Sequence, residues 1–382
     1  MLKPEKLALV LLAVLAINNT FVSAATLNNE TDHGSATPAG ETVVDTTGNS
    51  VGNFEAGEFV LEHVSDTYEW HIVTFKHENI SIPLPVILYS KKPELHEGKR
   101  FNVFMSSKFH HGKSDYRGFR ISENKKNQGK IVEVDSMGTE LGKPIDISIT
   151  KTIAGVIVSV ILLLWIFLTI ARSAKKNRNR APSGLQNLLE PVILFIRDEV
   201  ARPAIGDKKY ERYMPFLLTL FFFILFNSLV GLIPIFPFGA NVTGNIAVTM
   251  VLALFTFVIT TFSANKHYWK EIYNPEVPWW LKFPIPLMSI VELTGVFTKP
   301  FVLMIRLFAN MLAGHMIVTV FVSLIFIFAK LIGPLGGLAV SPVSLIFSVF
   351  IVLLDVLVSF IQAYVFVLLS ALYFGMATAE HH

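Results

Sequence analysis

Five apolar runs constrain this chain more than any other feature: Ile153–Ala171, Pro215–Ile233, Ile246–Phe262, Phe297–Phe328 and Val343–Met376. A helix needs roughly 20 apolar residues to cross a hydrocarbon core of about 30 Å, and all five approach or exceed that length. Composition agrees. Hydrophobic residues make up 52% of the 382, phenylalanine alone supplies 32, and only 16% are charged, against about 25% charged in a typical soluble domain. The predicted fold is therefore mainly α, a polytopic membrane protein with about five crossing helices. A net charge of +3 gives no reason to expect nucleic acid, and the lack of cysteine excludes disulfides, thiolate metal sites and cysteine nucleophiles.

The N-terminal third reads differently. Lys3 and Lys6, an apolar stretch from Leu7 to Ile17, and small residues around Val22-Ser23-Ala24-Ala25 have the layout of a secretory signal peptide over residues 1–24, with an uncleaved anchor as the alternative. Residues 25–147 form the expected exported extramembrane domain. It opens on a Gly-, Thr-, Ser- and Asn-rich stretch to about Asn53. Strand-like runs such as Trp70–Phe75 and Phe101–Phe104 follow, broken by Pro83, Pro85, Pro93 and Gly98. His63, His71, His77, His96, His110 and His111 match no familiar ligand spacing, so no metal is expected. Gly112-Lys113-Ser114 lacks the glycine that a phosphate-binding loop needs five residues earlier. Residues 148–382 are the membrane domain.

Basic residues orient the spans, because cytoplasmic flanks carry the excess of Lys and Arg. Ten lie between Arg172 and Arg212, none between Pro234 and Asn245, three more at Lys266, Lys270 and Lys282, and none between Leu331 and Pro342. The alternation predicts an outside N-terminus, five crossings and a cytoplasmic C-terminus.

The last two runs are long, about 32 to 34 residues each, or roughly 50 Å as helix. They are expected to form a strongly tilted hairpin broken by Gly333-Pro334, Gly336-Gly337 and Pro342. Arg306 lies in the first of them, where a charge costs about 2.5–3.5 kcal/mol on insertion scales; it serves either a structural ion pair or a polar pathway. In an antiparallel pair, Arg306 opposite Gln362 and His315 opposite Asp355 share one midpoint near residue 335. Asn310 lies one turn from Arg306, and Ser359 lies between Asp355 and Gln362 on one face. Nine residues separate His315 from Arg306, about 180° around the helix. Ala309 and Ala313, and opposite them Ser359 and Ala363, give small-residue spacing that lets helices approach closely or simply packs the hairpin.

Glu292-Leu293-Thr294 through Thr298-Lys299-Pro300, the run Arg306 to His315 (RLFANMLAGH), and Ile361 to Phe366 (IQAYVF) closely resemble the a subunit of the membrane sector of rotary F-type ATP synthase. Asn227 with Gly231–Pro234 resembles that family's second span. The similarity covers Ser148 to the end, with a weaker trace at Phe59–Trp70 and an insertion of about 75 residues before the first span. The resemblance implies a non-catalytic stator, without cofactor, embedded in the lipid bilayer beside a ring of c subunits. Two half-channels there would let ion flow drive rotation and ATP synthesis, and its partners would be the c-ring, the b subunits or peripheral stalk, and the remaining synthase subunits. Arg306 would face the carboxylate of each passing c subunit. His315 and Asp355 would form a relay in the outer half-channel, reversing the family's usual order of acid and histidine. Glu292 would lie near the cytoplasmic exit, Asn310, Gln362, Ser359 and Asn227 would support the path, and Lys299 would snorkel to the surface. The residues alone also allow a stand-alone secondary transporter built on Arg306 and Asp355, although no internal repeat supports it.

Overall fold

The computed structural model describes residues 66–75, 78–96, 98–110, 112, 114–122, 124, 127–135, 137–176, 184–232, 241–273 and 287–379. The signal-peptide reading, the Asn-rich lead-in, His63, His77, His111 and Ile233–Pro234 lie outside them. Among the described residues five helices are long and apolar enough to cross a membrane, and the chain is a multi-pass membrane protein with a small strand-containing N-terminal region.

The described residues of that region form eight strands: β1 Glu69–Phe75, β2 Glu78–Pro83, β3 Pro85–Tyr89, β4 Phe101–Met105, β5 Phe119–Ile121, β6 Ile131–Val134, β7 Glu140–Gly142 and β8 Ile145–Asp146. β1 and β2 pair as a hairpin, and two three-stranded sheets run β4-β3-β8 and β5-β6-β7. Val86, Leu88, Phe104, Phe109, Phe119 and Ile131 form one buried cluster. Proline does what its missing N–H dictates: Pro83 ends β2, Pro85 begins β3 and Pro93 begins a short 3₁₀ turn. His96 is part of this core. Its ring stacks 3.9 Å from Phe119, Nδ1 lies 2.7 Å from the Arg117 carbonyl oxygen, and Nε2 is 3.5 Å from the buried Glu133.

The helices are α1 Lys151–Lys176, α2 Leu185–Phe195, α3 Arg202–Ile205, α4 Tyr210–Gly231, α5 Ile246–Ser263, α6 Lys266–Tyr273, α7 Leu287–Ile332 and α8 Pro334–Thr378, with a π-helical turn, Ile196–Ala201, joining α2 to α3. α4 lies at the centre of the bundle. Leu217, Phe221 and Ile224 in it are fully buried, and Tyr213 stacks 4.9 Å from Phe374 of α8. Hydroxyls in the spans mostly turn back on their own helices, as with Thr219 to the Pro215 carbonyl and Thr260 to that of Thr256. Hydrocarbon offers them no other partner.

The hairpin is longer and simpler than the sequence reading. α7 and α8 run 46 and 45 residues, about 69 and 67 Å at ~1.5 Å per residue. Only Gly333, at φ 90°, breaks the chain. Gly336, Gly337 and Pro342 lie within α8. The two glycines are there for contact: a Cβ at either would meet Ile332 or Ala329 of α7 at 2.6–2.7 Å. At its other end α8 is tied down. The Lys209 ammonium and the Asn265 amide both donate to the Thr378 carbonyl, at 2.8 and 3.2 Å, and the Asn265 backbone N–H donates to Ala377. These bonds satisfy carbonyls that a helix C-terminus leaves without partners. Gly375 meets the α3 backbone so closely that a Cβ would fall 1.9 Å from the Ala204 oxygen.

The N-terminal region grips the bundle at the start of α1. Trp70 and Leu84 are buried in the same core as Ala154 and Val156 of α1. The Thr67 carbonyl accepts from the Lys151 N–H at 2.8 Å, and the Asp66 carboxylate accepts from the Thr152 N–H at 3.0 Å. Two donors at the helix N-terminus are thus capped. Burial pushes the Asp66 carboxyl up, against hydrogen bonds from Thr150 and Thr152 and the Lys151 charge that pull it down. A carboxyl raised by folding stabilises the folded state most below its unfolded pKa of about 3.9 and loses that contribution as pH rises through the higher folded value. Thermal unfolding of the N-terminal region should therefore show a stability loss with rising pH over that acidic window, and Asp66→Asn should flatten it. An unchanged pH slope in Asp66→Asn would exclude Asp66 as its source.

Candidate functional site

The polar residues of α7 and α8 divide between two surroundings. Leu303, Met304, Leu307 and Met311 of α7 are buried against the bundle. Arg306 and Asn310 are exposed on the adjoining flank together with Ala309 and Ala313. Small residues there leave the backbone open to close approach by another helix. Ser359 and Ala363 of α8, by contrast, are fully buried and serve the packing. Among the described residues Arg306 forms no ion pair and no hydrogen bond to the half-buried Gln362.

The second group centres on Asp355. Its carboxylate packs against Gly314, where a Cβ would come within 2.5 Å of it, and Oδ2 is buried with no hydrogen-bond partner among the described residues. His315 is the next residue, half-buried, and its carbonyl accepts from Thr319 at 2.8 Å. One turn along α8, the Ser359 hydroxyl donates to the Asp355 carbonyl at 2.7 Å and reaches the Met311 sulfur of α7 at 4.0 Å. These contacts, with Phe321 stacked on Phe347 at 5.5 Å, give the antiparallel register that the shared midpoint near 335 requires. Asn227 stands apart: it is buried in α4 and its amide donates to the Phe223 carbonyl at 2.7 Å.

A third set of residues surrounds a cavity of about 20 Å³ between α5, α6, α7 and α8, lined by Thr256, Thr260, Thr261, Tyr268, Lys299 and Tyr373 among others. That is room for about one water. Lys299 lies over the Tyr373 ring, 5.6 Å from its centroid, rather than reaching away from it. Burial, and then the Glu292 charge, push the Tyr268 phenol above its ordinary range. So Glu292 bears on one wall of the cavity through Tyr268. The sequence reading passed over both tyrosines. A signal was present: Glu292, Lys299 and Arg306 are seven apart, and Tyr373 is eleven from Gln362, spacings that keep residues on one helical face.

Comparison with known proteins assigns the two parts of the chain separately. Residues 153–375 match the family described as ATP synthase A chain, and residues 59–149 match a domain of unknown function, DUF8433. The ATP synthase subunit a of Chloroherpeton thalassium is 44% identical over 240 residues, 62% of this chain and 68% of that protein. ATP synthase subunit a 2 of Chlorobaculum tepidum is 46% identical over 237 residues, 62% of this chain and 64% of its own length. The subunit a of Myxococcus xanthus is 44% identical over 245 residues, covering 62% of this chain and 75% of that protein.

The contact of Gly314 with Asp355 is open to a double-mutant cycle. Gly314→Ala should destabilise the purified chain by about 1–3 kcal/mol, the usual range for overpacking. In an Asp355→Ala background most of that cost should vanish. Equal penalties in both backgrounds would mean that the two residues do not touch.

Proposed function

Because the chain belongs to the ATP synthase A chain family, we propose that it is the stator subunit that carries protons past a ring of c subunits, through one half-channel open to each side of the membrane. One observation carries this reading: Arg306 stands on an exposed, small-residue flank of α7, where a neighbouring helix can come close enough to meet its charge. A guanidinium within about 4–6 Å of a carboxylate favours its ionised form and lowers its pKa by one to three units. A c-subunit carboxylate arriving protonated is thereby made to release its proton. The fixed charge also opposes direct proton passage between the half-channels, since like charges repel strongly at low dielectric. Lysine is a poorer substitute because burial readily lowers its pKa.

The two access routes follow from the other clusters. In this reading Asp355 and His315 line the half-channel from the outside, with the carboxylate orienting the imidazole as a proton relay. Ser359 holds the backbone of Asp355. Glu292, Tyr268 and the cavity beneath Lys299 and Tyr373 form the way to the cytoplasm. Asn310 and Gln362 supply polar groups beside Arg306, while Asn227 steadies α4. The basic flanks put the N-terminal region outside and the C-terminus in the cytoplasm of a bacterial inner membrane, with residues 1–24 acting as an export signal. The chain supplies a path and no chemistry of its own. The nucleotide chemistry, the b subunits and the peripheral stalk belong to the rest of the synthase.

ATP-driven acidification of inverted vesicles tests the reading. Arg306→Ala should reduce acidification to background in a complex that still assembles, and undiminished acidification would overturn the stator role. Glu292→Gln and Tyr268→Phe should each slow it several-fold while leaving ATP hydrolysis by the detached catalytic sector unchanged. Wild-type rates in both variants would remove the cavity from the path.

A further inference from the structure

The outward face of the β4-β3-β8 sheet is apolar from end to end. Strand register aligns three rows across it: Ile149, Pro85 and Met105; Ile147, Ile87 and Val103; Ile145, Tyr89 and Phe101. Phe101, Val103 and Met105 are 58%, 54% and 44% exposed, while Val86, Leu88 and Phe104, which alternate with these rows, are buried in the domain core. β4 is also the edge of its sheet. Folded domains seldom leave an apolar edge and face of this kind in water.

Two observations name the cover. The first is continuity with the membrane: Ile149, in the first row, packs against the core of the helix bundle, and α1 begins two residues later at Lys151. The second is charge. Lys91 and Lys92 follow Tyr89, Lys99 and Arg100 precede Phe101, and Lys143 lies two residues before Ile145; all five are exposed, and they outnumber the acidic residues of that end, Glu94, Glu97 and Asp146, the last of which is bonded to Tyr68. An apolar surface that begins at a membrane span and ends in a basic flank follows the polarity of a leaflet from acyl chains to phosphates.

We infer that this face rests on the phospholipid leaflet from which α1 emerges, its rows sunk at the acyl–headgroup boundary and its basic flank against anionic headgroups. Interfacial elements lie in the membrane plane with their apolar side about 5–10 Å deep. The rows span about 13 Å at ~3.3 Å per residue, more than the roughly 5–7 Å headgroup layer. The sheet therefore leans over the membrane instead of standing along its normal. None of this depends on the ion-path reading.

The chain has no cysteine, so single labels are clean. Val103→Cys, Phe101→Cys and, as a water-facing control, Met137→Cys would each carry a fluorophore in the intact synthase, whose other thiols are removed. The complex would sit in vesicles of mixed phosphatidylglycerol and phosphatidylcholine. Spin-labelled lipid should quench the labels at 103 and 101, and dissolved acrylamide should quench the one at 137, which is 90% exposed as methionine. If acrylamide reaches 103 and 101 as readily as 137, the face lies in water and the inference falls. If neither quencher reaches them, protein covers the face, and it falls equally. In phosphatidylcholine alone, lipid quenching at 101 should drop at least about twofold as the headgroup attraction is lost. No drop would overturn the part given to the basic flank.

Discussion

Hydrocarbon cannot hydrogen-bond a polar group, and most of the bundle follows from that one constraint. It selects helices, and it turns the hydroxyls of Thr219, Thr256, Thr260 and Ser370 back onto their own backbones. It explains why Asn227 donates to Phe223 instead of across the bundle. The same constraint makes the departures informative. Asp355 keeps a buried oxygen without a partner among the described residues, and Arg306 keeps its charge on an open flank. Each violates a rule that its neighbours obey, and groups of that kind within a membrane mark ion pathways more often than they mark packing.

Much of this was legible in the residues. The five spans, the strands at Trp70 and Phe101, and the pairing of α7 with α8 follow from apolar length, alternation and the spacing of four polar side chains. The hairpin's true length was not legible. Gly336, Gly337 and Pro342 are turn-forming residues by propensity, yet all three lie in α8; at the two glycines close packing on Ile332 and Ala329 accompanies the helix, so tertiary contact overrode local preference there. Apolar counting also began the helix at Phe297, past Glu292, which the helix incorporates. The cavity was hidden for another reason: its walls come from four helices, and no single segment shows that Tyr268 and Tyr373 meet Thr260 and Lys299.

The N-terminal region is joined to the bundle by more than its linker. Asp66 and Thr67 cap α1, and Trp70 and Leu84 enter the bundle core. The additional domain thus supplies part of the folding of the first span, and the two regions, which match different families, share one hydrophobic core. A change at that seam reaches both. Tyr68 bonded to Asp146, one turn of chain before α1, adds a second tie at the same place.

The hairpin is fixed at one end only. Lys209, Asn265 and the Gly375–Ala204 contact hold the last turn of α8, while Leu335, Leu338, Val343, Leu345 and Ile346 near Gly333 are exposed and have mainly α7 beside them. Phe360 packs on Phe221, and Ala363, Phe366, Val367, Ala371 and Phe374 enter the bundle core, so mechanically this is a cantilever about 39 Å long at ~1.5 Å per residue, clamped from Phe360 to Thr378 and loose at its tip. A sideways push is resisted most near the clamp, and compliance grows toward Gly333. Gln362 and Ala363 lie within the clamped stretch, so the segment opposite Arg306 is held stiffly, and Asp355, two turns farther out, belongs to the part that begins to yield.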